Sequence, residues 1–151
     1  MQENLNNSAR AERSIELPAA TLWAALTDLE GLAEWAPGID GAVVTSEAKT
    51  GVGAVRSVST AQFGQIEHRI TEWEEDRQFG YMTEDSGPFS RTDTRYNMVA
   101  TETGSLITVV LAFEIKPGAM TLEQAQAVLS KGLDGTLKAL ELRARMPAGE
   151  A

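Results

Sequence analysis

Residues 105–145 read SLITVVLAFEI KPGAM TLEQAQAVLSKGLDGTLKALELRAR, and the change of period inside this stretch decides the fold. Ile107, Val109, Leu111, Phe113 and Ile115 fall on alternate positions, as in a strand with one buried face. Pro117-Gly118 ends that pattern. Thr121-Leu122-Glu123-Gln124 then has the form of a capping box, with Thr121 as N-cap and Gln124 three positions later. Beyond it Leu122, Leu129, Leu133, Leu137 and Leu140 recur at helical spacing and predict one apolar stripe. Lys138, Arg143 and Arg145 sit toward the helix end, where cations suit the dipole. A helix of about 25 residues spans roughly 37 Å at ~1.5 Å per residue, enough to cross the concave face of a curved sheet.

Upstream, period two continues back to Gly41. Strands are predicted over Val43–Ala48, Ala54–Thr60, Ile66–Trp73, Gln78–Thr83, Thr92–Thr101 and Ser105–Ile115. The breaks between them, Lys49 to Gly53, Phe63-Gly64, Glu74 to Asp76, Asp85 to Pro88 and Glu102 to Gly104, are short and polar or Gly-rich. Consecutive strands with short turns imply an antiparallel meander. A further strand is predicted over Arg10–Leu17, stopped by Pro18. Two short helices follow, Ala19–Asp28 and Gly31–Trp35, the second ended by Pro37-Gly38. Residues 1–9 are polar and Asn-rich and are expected to be a disordered tail, residues 10–146 one domain, and residues 147–151 a frayed C-terminal tail.

Composition narrows the function. The chain has 151 residues, one domain by size. It contains no cysteine and one histidine, so a disulfide framework, a thiolate centre, a cysteine nucleophile and a poly-histidine metal site are all excluded. No metal and no cofactor are expected. Its 22 acids against 13 Lys and Arg leave a net charge of −9, which argues against nucleic acid and anionic membranes as partners. No stretch has the ~18 apolar residues of a membrane span. The first 14 residues carry no apolar signal region, and a cytoplasmic location is the expectation.

Alternation predicts which side chains face inward. The inward sets are Ala54, Arg56, Val58 and Thr60; Ile66, His68 and Ile70; Phe79, Tyr81 and Thr83; Thr92, Thr94, Tyr96 and Met98; and Ile107 to Ile115 on odd positions. Arg56, His68, Tyr81, Tyr96 and the threonines are polar intrusions that a dry core does not choose without partners. A pocket for a ligand bearing a few oxygens does. Arg56 has a second reading, an ion pair with Glu72 or another acid. His68 equally fits a structural, hydrogen-bonded histidine, and Trp35 either a lid at a cavity mouth or packing under the short helices. Gly132 and Gly135 each cost a helix about 1 kcal/mol relative to Ala. They leave cavity volume, allow hinge motion, or mark close approach to the sheet or to a second chain, so a homodimer stays open.

Several motifs together resemble the START-related superfamily with the helix-grip fold, also called SRPBCC, and its polyketide cyclase/dehydrase-like proteins. They are Ile15-Glu16-Leu17-Pro18-Ala19 with Leu22 to Asp28, Trp35-Ala36-Pro37-Gly38, Gly51-Val52-Gly53 with Arg56, Ile70 to Glu74, and Leu133 to Arg143. The resemblance implies an α+β fold, a seven-stranded curved antiparallel sheet wrapped around a long C-terminal helix, with two short helices after the first strand. It also implies a cavity between sheet and helix. Tyr81, Tyr96, Leu111, Phe113 and Leu133 are expected to line it, and Trp35, Arg56, Val58, His68, Ile70, Phe79, Thr94, Met98 and Val109 complete the candidate ligand-binding set. The first expectation is a binder of a small hydrophobic or aromatic molecule, lipid or polyketide-like. The alternative is an enzyme similar to polyketide cyclases or aromatases. There His68 is the acid/base, Arg56 stabilises an enolate and Tyr81 or Tyr96 donates a hydrogen bond. A third is a protein-interaction module.

Overall fold

A computed structural model describes residues 7–146; the expected tails at 1–6 and 147–151 lie outside the described residues. The chain runs β1 (Asn7–Ile15), α1 (Ala19–Leu26), a 3₁₀ helix (Leu29–Glu34), β2 (Ile39–Val44), β3 (Val55–Thr60), β4 (Gly64–Glu74), β5 (Gln78–Ser86), β6 (Phe89–Ala100), β7 (Ser105–Ile115) and α2 (Leu122–Ala144). The seven strands form one antiparallel sheet in the order β1-β7-β6-β5-β4-β3-β2. From β2 to β7 every neighbour is a hairpin partner, the meander read from the turns. β1 joins β7 at the far edge, with Asn7 opposite Phe113 and Ile15 opposite Ser105.

Several boundaries differ from the sequence reading: β2 starts at Ile39 instead of Val43, β5 runs on to Ser86 and β6 starts at Phe89, and two further shifts bear on the fold. β1 starts at Asn7, so residues 7–9, expected in the tail, are paired to β7, and Ala9 is buried in the core. Polar Asn7 and Ser8 hid this, because an edge strand needs only its inward side chains to be apolar. β2 ends at Val44 rather than Ala48, and residues 45–54 form the loop in which Gly51 and Gly53 take positive φ.

The capping box of α2 is present in both directions: Gln124 N donates to Thr121 Oγ1 at 3.1 Å, and Thr121 N donates to Gln124 Oε1 at 3.0 Å. Ala125, Leu133, Leu137 and Leu140 are buried; Leu122, placed in the stripe by its spacing, is 42% exposed. It lies in the first turn, beyond the edge of what the helix covers. α2 approaches β1 and α1 most closely, and its Leu129 reaches over the β4–β6 face. A Cβ added at Gly132 or Gly135 meets nothing within 4 Å, so neither glycine marks a close approach to the sheet.

At the β6–β7 turn the reverse holds. A Cβ at Gly104 runs into the Ile15 carbonyl and lies 2.7 Å from Glu16 Cα, while the adjacent Ser105 Oγ donates to Leu17 O at 2.8 Å. The turn is thereby locked against the exit from β1. The core gathers Trp23, Phe79, Tyr96, Met98, Val109, Phe113, Leu133 and Leu137 between sheet, α1 and α2. Trp23, Trp73 and Phe79 meet edge to face at centroid distances of 5.6–6.4 Å.

Candidate functional site

Arg56 and His68 are cross-strand neighbours, because the β3–β4 hairpin pairs them directly. Both point inward, with 1% and 7% of their surface exposed. Arg56 Nε donates to His68 Nδ1 at 3.1 Å and Nη1 donates to the Leu29 carbonyl at 3.2 Å, which ties the 3₁₀ helix to the sheet. The guanidinium carbon lies 5.3 Å from the centroid of Tyr81 and 5.9 Å from that of Phe79. The His68 ring stacks on Tyr81, 4.1 Å between centroids and 9° from parallel. Arginine, imidazole and phenol thus form one packed unit across β3, β4 and β5.

The unit lacks an anion. Among the described residues no carboxylate lies within 4.0 Å of the Arg56 guanidinium. Glu72, a partner considered from the sequence, pairs instead with Arg95 at 3.0 Å. The reason is a bulge: β4 pairs Ile70 with Tyr81 but Glu72 with Gly80. Strict alternation puts Glu72 on the face of Ile70. The extra residue, Thr71, lets Trp73 turn into the core and leaves Glu72 facing Arg95. A buried guanidinium without a counter-ion costs several kcal/mol of desolvation, which two hydrogen bonds and two ring faces offset only in part. Burial accordingly lowers the Arg56 pKa, while its proximity to Tyr81 and Tyr96 raises it.

The same geometry decides the state of His68. Burial, and next the charge of Arg56, hold its pKa well below the ordinary value of 6.5. Since Nδ1 accepts the Arg56 N–H, the neutral ring carries its proton on Nε2. Nε2–H has no partner among the described residues, so the imidazole offers one free donor. The pKa of Tyr96 is raised well above 10.0, mainly by burial and also by Tyr81, so its hydroxyl stays protonated.

His68 and Tyr81 form part of the wall of a cavity of about 170 Å³, bounded also by Phe63, Ile66, Thr83, Ser86, Phe89, Thr92, Thr94, Leu111 and Leu129. The β4–β6 face is its floor and Leu129 of α2 its roof. Thr83 and Thr92, opposite each other on β5 and β6, share a hydrogen bond of 2.6 Å. One hydroxyl proton serves that bond and the other is left to donate. Phe63, at the tip of the β3–β4 hairpin, lies against Gly87 at the tip of β5–β6. Thr60 Oγ1 accepts from Phe63 N and donates to Gly64 O, holding the tip in place.

Of the residues expected in the ligand set, the structure brings His68, Tyr81, Thr94 and Leu111 to this cavity. Ile70, Phe79, Tyr96, Met98, Val109, Phe113 and Leu133 sit in the solid core, and Val58 in a small cluster with Leu32 and Ala42. Tyr96, Phe113 and Leu133, expected as lining, belong to the buried core cluster and are not among the residues that bound this cavity. Arg56 stands behind His68 and Tyr81 rather than on the wall. Trp35 lies elsewhere, in a groove with Glu34, Leu142, Arg143 and Met146, its buried Nε1 without a partner among the described residues. Phe63, Ser86 and Phe89 were not anticipated. Phe63 belongs to a hairpin tip, and Ser86 and Phe89 pair at the ends of β5 and β6, where a register shift between Phe89 and Arg91 breaks the alternation.

A larger hollow of about 310 Å³ lies between Thr27–Glu30, Val44, Lys49 and Thr50, outside the sheet–helix interior. There the Glu30 carboxylate is already occupied by Val44 N–H at 2.9 Å. The smaller cavity carries the unpartnered imidazole donor and is the stronger candidate. Among the described residues no cluster of His, Asp and Glu could hold a metal ion, and no helix is long and apolar enough to cross a membrane.

A curved antiparallel sheet gripping a C-terminal helix, with a hollow left between them, defines the helix-grip proteins of the START-related superfamily. Within it, the chain belongs to the family described as polyketide cyclase / dehydrase and lipid transport, which matches residues 7–145. Solved structures of the same fold include Ara h 8.0201, at 21% identity over 91% of this chain and 97% of that one, TM-score 0.75. A START superfamily protein from Mycobacterium smegmatis is similar at 18% identity over 92% and 97%, TM-score 0.79. XoxI from Bacillus cereus is similar at 18% identity over 90% and 94%, TM-score 0.76. No curated protein matches the chain.

Proposed function

We propose that this protein binds a small hydrophobic molecule, about one aromatic ring in size, that presents an acceptor oxygen to His68. The family's span from cyclases to lipid transport supports a hydrophobic ligand. The observation that carries the reading is the pocket itself: largely apolar walls, with the imidazole N–H of the buried His68 unpartnered among the described residues. A cavity of about 150 Å³ lined by apolar side chains is known to admit benzene, so ~170 Å³ suits a single ring and is too small for a long acyl chain in this conformation.

The alternative, a cyclase- or aromatase-like enzyme using His68 as acid/base, draws less support from the geometry. With Nδ1 held by Arg56 and Nε2 protonated, His68 has no free lone pair toward the pocket. It can polarise a carbonyl by donating a hydrogen bond, as a neutral imidazole does, but it cannot take a substrate proton there. Native mass spectrometry of the freshly purified protein tests both readings. A bound small aromatic or carbonyl compound lost in His68→Phe supports binding. A compound that the protein converts on prolonged incubation, with the rate falling ~100-fold or more in His68→Phe, favours catalysis. A chain with neither bound compound nor affinity for ring-sized probes refutes the binding reading.

A further inference from the structure

We propose that the cavity is selective for anions, and that its ligand class is a small aromatic carboxylate whose charge is matched by Arg56 acting through His68. The proposal rests on the binding reading above and adds the ligand's charge.

Three observations on separate elements converge. First, Arg56 is a permanent cation, 1% exposed, with no salt-bridge partner among the described residues; the bulge in β4 has turned Glu72, the acid considered from the sequence, onto Arg95. The unit of Arg56, His68, Tyr81 and Tyr96 therefore keeps a net charge of one in a water-poor interior. Second, Arg56 does not face the cavity but grips the nitrogen of His68 remote from it, so Nε2–H is the point at which the charge is presented. A donor already polarised by a cation at the other end of the ring is strengthened most toward a charged acceptor. Third, the wall beside His68 holds donors: Thr94, Ser86 and the spare proton of the Thr83–Thr92 pair. Among the described residues no carboxylate lines the cavity, although the chain as a whole carries a net charge of −9. The acids lie on the outside, where salt screens them beyond about 8 Å, and a local interior cation outweighs them at contact.

A purely structural role for Arg56, holding the Leu29 carbonyl and the ring of His68, predicts no preference between charged and neutral ligands of one shape. Benzoate and benzamide are such a pair. Their affinities for the intact protein are measured by calorimetric titration at about pH 7.5, where benzoate is fully ionised. The Nε2–H resonance of the chain's single histidine reports the contact in the same sample. The expected result is benzoate at least 10-fold tighter than benzamide, with a downfield shift of Nε2–H on adding benzoate. In His68→Gln, which retains an N–H donor and the Arg56 charge, a reduced preference for benzoate persists; in Arg56→Met it disappears. Equal affinities for the two probes in the wild-type protein overturn the anion assignment while leaving the binding reading intact. Binding of neither probe at millimolar concentration overturns both. A benzoate preference that survives Arg56→Met overturns the role of Arg56. Should Arg56→Met not fold, the wild-type comparison and His68→Gln decide the matter.

Discussion

His68 should stay neutral in the folded protein far below the pH at which a free imidazole takes its proton, and this makes stability fall in mildly acidic solution. Burial comes first, then the charge of Arg56, and both lower the native pKa well below 6.5. In the unfolded chain the same group titrates near 6.5. Above that pH neither state holds the extra proton and the group contributes no pH dependence. Below it the unfolded state binds a proton that the native state refuses, so unfolding is favoured as pH falls, with a limiting slope of about 1.4 kcal/mol per pH unit. The loss levels off once the pH drops below the native pKa. From about pH 6.5 to about pH 5.5 it amounts to roughly 1 kcal/mol. The carboxylates whose pKa is lowered, Asp85 beside Lys116 and Glu141 beside Arg13 and Arg145, lose their contributions at lower pH and leave this window to histidine. Urea unfolding followed by tryptophan fluorescence, at several pH values across the window, gives the slope. His68→Gln keeps an acceptor for Arg56 and a donor for the cavity but cannot titrate, so its curve should be flatter by that ~1 kcal/mol. Nitrogen-15 spectra of the single histidine give the state directly: Nε2 protonated, Nδ1 bare, and no change down to about pH 5.5. An imidazole protonated on both nitrogens by pH 6, or parallel stability curves for wild type and His68→Gln, would refute the Arg56–His68 arrangement.

Leu137→Ala should cost about 2–5 kcal/mol in urea unfolding, since Leu137 is fully buried at the heart of α2. Leu122→Ala, on the same predicted stripe but in the exposed first turn, should stay within about 0.5 kcal/mol, and a comparable loss at both sites would contradict the observed placement of α2. Gly104→Ala should destabilise by about 1–3 kcal/mol, because its methyl meets backbone of Ile15 and Glu16 that cannot swing aside; an unchanged midpoint would show that the turn does not lock onto β1. Gly87→Ala places a methyl 2.6 Å from the Phe63 ring at a φ of +56°, so it should push Phe63 off the cavity mouth; unaltered Phe63 contacts to Gly87 and the cavity wall in aromatic NMR spectra would count against this.

How much was legible in the sequence follows the range of the signals. Period two from Val43 to Ile115, the turn residues between strands and the capping box at Thr121 are local, and each element they announced is present. Facing was equally legible wherever alternation ran unbroken: Arg56, His68, Thr94 and Tyr96 all point inward, because a strand cannot turn one side chain over without a bulge. Where a bulge intervenes, at Thr71, the pattern misplaced Glu72 and suggested a counter-ion for Arg56 that the fold withholds.

What only the tertiary structure decided is which inward residues meet a cavity and which meet each other. Tyr96, Phe113 and Leu133 carry the same inward signal as Tyr81 and Leu111, yet the first three are buried in the core cluster, while the last two, packed against that cluster, also bound the cavity. The difference lies in where α2 sits: it rests on β1 and α1, partners separated from it by most of the chain, and leaves the β4–β6 face only partly covered. Phe63 reaches the cavity from a hairpin tip, and Phe89 from the end of β6 beyond a register shift, so neither has a period to read. The sequence by itself determined the elements and their faces, because steric and hydrogen-bond rules act over a few residues. The tilt of one helix over seven strands, and with it the hollow beside His68, comes from long-range packing that no local pattern encodes.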